Sequence, residues 1–392
     1  MDVMKKAKEI MPEIIQIRRH IHAHPELGGK EYHTSDLIKS RLIKMEIDDI
    51  TTPTDTSVIA TIRGRKGGGR CIALRADIDA LPVQEETGLD FASEKEGIMH
   101  ACGHDMHTAM MLGNAKLLYD MRNDFRGTVK LIFQHSKDTF PGGARELIDK
   151  GVVEGVDAIL GMHVIPTADS RCGVIGLKEG PFTTSVDEYL FNIAGTGGDG
   201  SQPHKSKDPI LAAAEMIMMF QQVQSRAVAP METAIFMMNM IEGGHAPNVI
   251  ADKVTMLGHG RAYTEEVRQT IRDNVFRIAH GVEIISGCLV EVKETRGYDA
   301  CYNDPELTRD IIRILRKRRS RLEIYSKPMG FSEDFSFYSS VAGVPSVLMV
   351  LQAGNAGSAE PLSTSGCTFN ESAMAYGMSA MTSCTLELLN RG

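Results

Sequence analysis

The sequence predicts a discontinuous α/β domain, residues 1–182 and 296–392, carrying an inserted α+β domain, residues 183–295. Three observations lead there. At 392 residues the chain exceeds what one ordinary hydrophobic core organises, so length favours two domains. Apolar strands alternate with amphipathic helices up to about residue 182 and again after 296, the pattern of an open sheet covered by helices. Between those stretches the order becomes strand, helix, strand, strand, helix, strand, a compact β-α-β-β-α-β unit.

Residues 3–23 read as a helix because Ile10, Ile14, Ile15, Ile17 and Ile21 share a face, and His24-Pro25-Glu26-Leu27-Gly28 ends it. A second helix covers 32–45 and strands cover 57–63 and 71–75. The latter strand delivers Arg75-Ala76-Asp77-Ile78-Asp79-Ala80-Leu81-Pro82 at its C-terminal end, where open α/β sheets gather functional groups. A helix starting from Asp105 as its N-cap precedes the strand 127–134, which leads into His135-Ser136-Lys137-Asp138 and Pro141-Gly142-Gly143-Ala144. The strand 158–162 then delivers His163 at its end. The inserted unit reads as strand 185–194, helix 208–224, strands 233–241 and 252–263, helix 264–281 and strand 283–294. Helix 305–319, Ser332-Glu333-Asp334-Phe335, strand 345–351 and a last helix from Asn370 to Leu389 complete the chain.

The formal charge is −8, from 43 basic and 51 acidic residues with the basic ones dispersed, which argues against a nucleic-acid partner. The one basic run, Arg316-Lys317-Arg318-Arg319, reads as a solvated helix end. Neither a signal peptide nor a membrane-spanning run is expected, and seven cysteines without framework spacing suit a reducing cytoplasm.

The stretch richest in chemistry is His100-Ala101-Cys102-Gly103-His104-Asp105-Met106-His107, with a thiol, three imidazoles and a carboxylate in eight residues. A bend at Gly103 would aim the Cys102 sulfur and a His104 nitrogen at one ion, a pairing zinc accepts. A helix N-terminus there would favour the thiolate. Taken alone, the same residues also fit a buried helix start with a structural cysteine.

Together with Arg18-Arg19, His24-Pro25-Glu26-Leu27, Leu74 to Pro82, Pro141-Gly142-Gly143-Ala144, Gly161-Met162-His163, Pro203-His204, Ala246-Pro247-Asn248-Val249-Ile250 and Ser332-Glu333-Asp334-Phe335, this stretch resembles the zinc amidohydrolases and metallopeptidases. That family includes N-acyl-amino-acid hydrolases, hippurate hydrolase, auxin-conjugate hydrolases and N-acetyldiaminopimelate deacetylase. The resemblance implies an aminoacylase-like catalytic domain, a lid domain that forms a homodimer, and cleavage of small N-acylated amino acids or dipeptide-like amides by metal-activated water. It implies a divalent metal, zinc, manganese or nickel, ligated by Cys102, His104, Asp138, His163 and Ser363, and it places Lys137, His204 and Asn248 at catalytic positions. Asp77, Asp79 and Asp105 would orient the ligands by hydrogen bonds.

Four positions depart from the family pattern. Lys137 stands where the family has the general-base glutamate, and Asp138 where a glutamate ligand follows it. A protonated lysine cannot accept a proton from water; a neutral amine beside two metal ions is the less favoured route. Ser363 falls on a histidine-ligand position, and Asp199 replaces a histidine that in the family stabilises the oxyanion from the neighbouring subunit. The expectation is fewer than two ions per chain and slow hydrolysis. The alternative is a catalytically impaired homologue acting as a binding or regulatory protein.

Overall fold

The computed structural model describes residues 2–167, 171–355 and 360–391. The chain divides into two compact units, one comprising Met1–Phe182, Tyr302–Pro328 and Asp334–Gly392, the other Thr183–Cys301 and Met329–Glu333.

The first unit is built on an eight-stranded sheet of Ile50–Thr51 (β1), Val58–Arg63 (β2), Cys71–Asp77 (β3), Thr128–Gln134 (β4), Ala158–Ile165 (β5), Ile175–Leu177 (β6), Leu322–Ile324 (β15) and Ser346–Gln352 (β16). Gly180–Pro181 (β7) and Tyr302–Asn303 (β14) form a separate antiparallel pair. The sheet order is β1-β2-β4-β3-β5-β16-β6-β15. The four central strands β4, β3, β5 and β16 run parallel. They are buried along almost their whole length, as strands with both faces covered must be. Helices Val3–Ala23 (α1), Tyr32–Lys44 (α2), His104–Asp120 (α3), Gly143–Asp149 (α4), Pro305–Lys317 (α7), Ser336–Ser340 (α8) and Ala373–Leu389 (α9) belong to this unit. The helices α3 and α9 are buried nearly all round, and a Cβ at Gly113 would lie 2.1 Å from the Met378 sulfur, so glycine permits their close approach. The basic run completes α7, where Lys317 and Arg318 pair with Glu387 at 3.2 and 2.9 Å. Among the described residues no helix is long and apolar enough to cross a membrane.

Two sequence readings near the site need correction. Asp105 is not a helix cap: α3 begins at His104 after Gly103 in the left-handed region, and the Asp105 carboxylate turns inward to Arg18 and His22. His163 does not follow a strand but lies within β5, because pairing with β16 continues to Ile165.

In the second unit, Asp187–Ala194 (β8), Ala234–Gly243 (β10), Lys253–Ala262 (β12) and Leu289–Arg296 (β13) form an antiparallel sheet in the order β10-β12-β8-β13. Gly198–Asp199 (β9) pairs with Val249–Ile250 (β11). Helices Pro209–Gln222 (α5) and Glu265–Ser286 (α6) pack against Tyr189, Phe191, Phe236 and Met256 to make its core. Helix α6 runs beyond residue 281, and β13 starts later than 283, because Gly287 at φ 67° closes the helix by donating its N–H to Glu283 O. The unit also continues past 295. Gly297 N–H donates to Asp187, and the buried Arg268 bridges Asp187 and Asp299, each at 2.6 Å.

Arg268 thus neutralises a carboxylate that has almost no access to water. Arg268→Met is expected to cost about 3–5 kcal/mol, the penalty for leaving a buried charge unpaired. Hydrogen exchange should report faster opening of β8, α6 and β13 with α1 and α3 unchanged. Equal protection in the variant would show that Asp187 is satisfied without the guanidinium.

Candidate metal centre

The parallel strands β3, β4 and β5 end on one edge of the sheet, and the first turn of α3 lies against that edge. Gly103 makes the approach possible. It has φ 81°, and a Cβ there would stand 2.3 Å from Val164 Cγ2, so both conformation and space require glycine between Cys102 and His104.

Cys102, His104 and His163 are buried and bring one ligand atom each within 4.8 Å of one another. His163 Nδ1 donates to Val164 O at 2.7 Å, which leaves Nε2, 3.4 Å from Cys102 Sγ, with its lone pair turned inward. His104 Nδ1 is 2.7 Å from Asp79 O and 3.1 Å from Asp79 Oδ1, and its buried Nε2 has no hydrogen-bond partner. Asp138 Oδ2 lies 3.7 Å from that nitrogen. An inward-facing buried nitrogen without a partner, beside a thiol, an imidazole and a carboxylate, fits a divalent cation. Burial opposes charge on His104, but Asp77 and Cys102 outweigh it and raise its pKa well above the usual histidine range. The pocket therefore attracts positive charge, and a bound cation would displace that proton. Burial, then His107 and Lys137, push His163 well down, which favours its neutral form.

The supporting groups are equally specific. Asp79 holds two neighbours at once, since Oδ1 faces His104 and Oδ2 accepts from Asp138 N–H at 2.8 Å. Asp77 accepts from His107 Nδ1 and, at 2.6 Å, from Arg75. His107 Nε2 in turn accepts from Val164 N–H at 2.8 Å, so His107 has no nitrogen left for a metal and instead fixes the backbone beside His163. Arg75 continues to Gln134 at 2.8 Å and Asp334 at 2.6 Å. Asp105, expected to orient a ligand, makes its contacts with Arg18 Nε at 2.7 Å and His22 Nδ1 at 2.8 Å. The sequence reading gave no role to His22 or Gln134, and it named His107 and Asp334 within motifs without assigning them one; His107 is the second histidine of the α3 turn. The three-residue spacing of His104 and His107 on one helical face was the available signal for its role.

Lys137 is buried here, with Nζ 2.9 Å from Asp138 Oδ1 and 3.8 Å from Cys102 Sγ. Ser363 is exposed, at φ 64°, and reaches the neighbourhood through its N–H, which donates to Ala101 O at 3.0 Å. In the second unit His204 and Asn248 are exposed, and Asn248 O accepts from Gly200 N–H at 2.9 Å. Asp199 accepts from Ser201 N–H and Oγ at 2.9 and 2.8 Å, bonds that lower its pKa.

The family model described as Peptidase family M20/M25/M40 matches residues 73–387. The chain is 37% identical over 323 residues to an N-acyl-L-amino acid amidohydrolase of Geobacillus stearothermophilus, covering 81% of this chain and 86% of that protein. It is 42% identical over 287 residues to an N-acetylcysteine deacetylase of Bacillus subtilis (strain 168), covering 73% and 74%. The solved structure of the Bacillus subtilis YXEP protein, described as a dinuclear metal binding peptidase, superposes with a TM-score of 0.82 at 32% identity, over 97% of this chain and 99% of that one.

Cys102→Ser is expected to remove most bound metal, because a neutral hydroxyl replaces a thiolate. His107→Leu leaves every donor in place but frees Val164, and should weaken zinc binding about 10- to 100-fold. Chelator-competition titrations measure both; unchanged affinity in both variants would make the cluster structural.

Proposed function

The chain belongs to peptidase family M20/M25/M40, and from that premise we propose that it is a metal-dependent amidohydrolase acting on small N-acylated amino acids or dipeptide-like amides. The observation that carries this reading is the buried trio Cys102, His104 and His163, with imidazole nitrogens directed inward at the strand edge. The relatives named for N-acyl-L-amino acids and N-acetylcysteine support the substrate class. Cys102, His104, His163 and Asp138 would hold the ion, zinc, manganese or nickel. When bound, it supplies the positive charge that polarises an amide carbonyl and water.

The remaining roles fall to the chain. Asp79 keeps His104 in the tautomer that presents Nε2, and His107 keeps β5 in place behind His163. Asp138 is the carboxylate adjacent to the cluster that reaches solvent, with its side chain 20% exposed. Lys137 donates to Asp138 at 2.9 Å, so one oxygen of that carboxylate is already engaged. His204 and Asn248 keep their catalytic positions on the resemblance alone, and Ser363 contributes a weak neutral donor at most.

The Lys137 ammonium at the base position favours a second reading, an impaired homologue that binds an N-acyl amino acid without cleaving it. Assays of amine release from N-acetyl amino acids separate the two. Slow turnover, below the 1 to 1000 per second range typical of enzymes and abolished by chelator, is expected. Lys137→Glu combined with Ser363→His and Asp199→His should exceed the product of the single gains, since base, ligand and oxyanion donor act together. Calorimetric binding without any turnover would move the assignment to the second reading; neither binding nor turnover sinks both.

We also propose a homodimer through the inserted unit and a cytoplasmic setting. Among the described residues no disulfide is present, which suits a reducing compartment. Strand β10 lies at a sheet edge and exposes Met237, Met240 and Ile241, an apolar edge suited to pairing across a two-fold axis. Met237→Lys with Ile241→Lys should give a monomer by light scattering, and a monomeric native chain at micromolar concentration would refute the dimer.

A further inference from the structure

Cys102, His104 and His163 bring donor atoms together, and Asp138 Oδ2 lies 3.7 Å from His104 Nε2. The other carboxylates beside them are committed elsewhere: Asp77 to Arg75 and His107, and Asp79 to His104 and the Asp138 amide. Ser363 brings only an exposed hydroxyl. With Asp138 added to the trio, one zinc-like ion would use all four donors, and the carboxylates that remain are already engaged by the protein. The carboxylate and the thiol among the four donors, Asp138 and Cys102, are also the two that face Lys137 Nζ, at 2.9 and 3.8 Å.

We propose that Lys137 is a resident cation that takes the place of a second metal ion, making this a one-metal site, in contrast to the dinuclear description of the YXEP protein. The inference rests on the reading that Cys102, His104 and His163 hold a divalent ion. An ammonium suits the place: it is a compact fixed charge with three donors, and Lys137 is only 4% exposed, so its partners are the protein's own side chains. A second dication drawn to Asp138 and Cys102 would have to approach that ammonium at contact distance, where like charges repel strongly in a partly dry pocket. The side chain is long enough to reach both groups from the residue before Asp138, so the replacement costs the backbone nothing.

Cobalt(II) is the probe, because its thiolate charge-transfer and d–d bands report binding without any assay of turnover. Full-length protein stripped with chelator is titrated with cobalt, and bound metal is counted by mass spectrometry after dialysis. The native chain and Lys137→Arg should saturate at one ion. Lys137→Met, which keeps the length and removes the charge, should bind its ion at least tenfold more tightly, because Asp138 is released and the repulsion is gone. Lys137→Glu should take up a second equivalent. Two ions in the native chain, an unchanged affinity in Lys137→Met, or a single ion in a folded Lys137→Glu would each overturn the proposal. Hydrolysis by a native chain holding two ions would leave the amidohydrolase reading standing and remove this one. One ion with no hydrolysis would do the reverse, and no bound ion would end both.

Discussion

Asp77 is the constraint on which the metal centre depends. Its carboxylate is shut off from water, so each oxygen must find a donor, and the donors it finds are Arg75 and His107. Arg75 carries the demand onward to Gln134 and Asp334, and His107 carries it to the Val164 amide. One buried charge thereby ties together β3, β4, α3 and β5. Such an assembly tolerates little slack, because any group that steps out of line leaves another dehydrated and unpaired. The inward-facing nitrogens of His104 and His163 inherit that rigidity.

Much of the architecture was legible because it rests on local rules. Isoleucine periodicity marked α1, and unbroken apolar runs marked the central parallel strands. Where the reading slipped, a non-local contact or a capping residue had decided the matter. Gly287 extended α6, pairing with β16 lengthened β5 past His163, and Arg18 and His22 drew Asp105 inward from the helix terminus. The donor side chains could be named from the sequence, but the hydrogen bonds that aim them could not. His22 lies amid the isoleucines of α1, and nothing in that pattern says it meets a carboxylate 83 residues away.

Lys137 sits in a frame fixed by its neighbours: the Asp138 amide donates to Asp79, the loop follows β4, and the lysine donates to the Asp138 carboxylate. The fold therefore says little about rate, and the chemistry must be argued from the few side chains at the strand edge. A positive charge at that point changes which charges the pocket welcomes more than it changes its shape.

Every donor assigned to the ion comes from the stretch between Cys102 and His163, and the second unit enters the chain only at Thr183. In genetic terms the Thr183–Cys301 part of that unit is a cassette, with only Met329–Glu333 encoded apart from it. Exchange of the inserted segment between related genes would cut the reading frame outside all the metal donors, so variation in the insertion can be sampled while the inorganic chemistry is inherited intact. A chimaera carrying a relative's insertion between Phe182 and Tyr302 is thus a natural vehicle for asking what that cassette contributes.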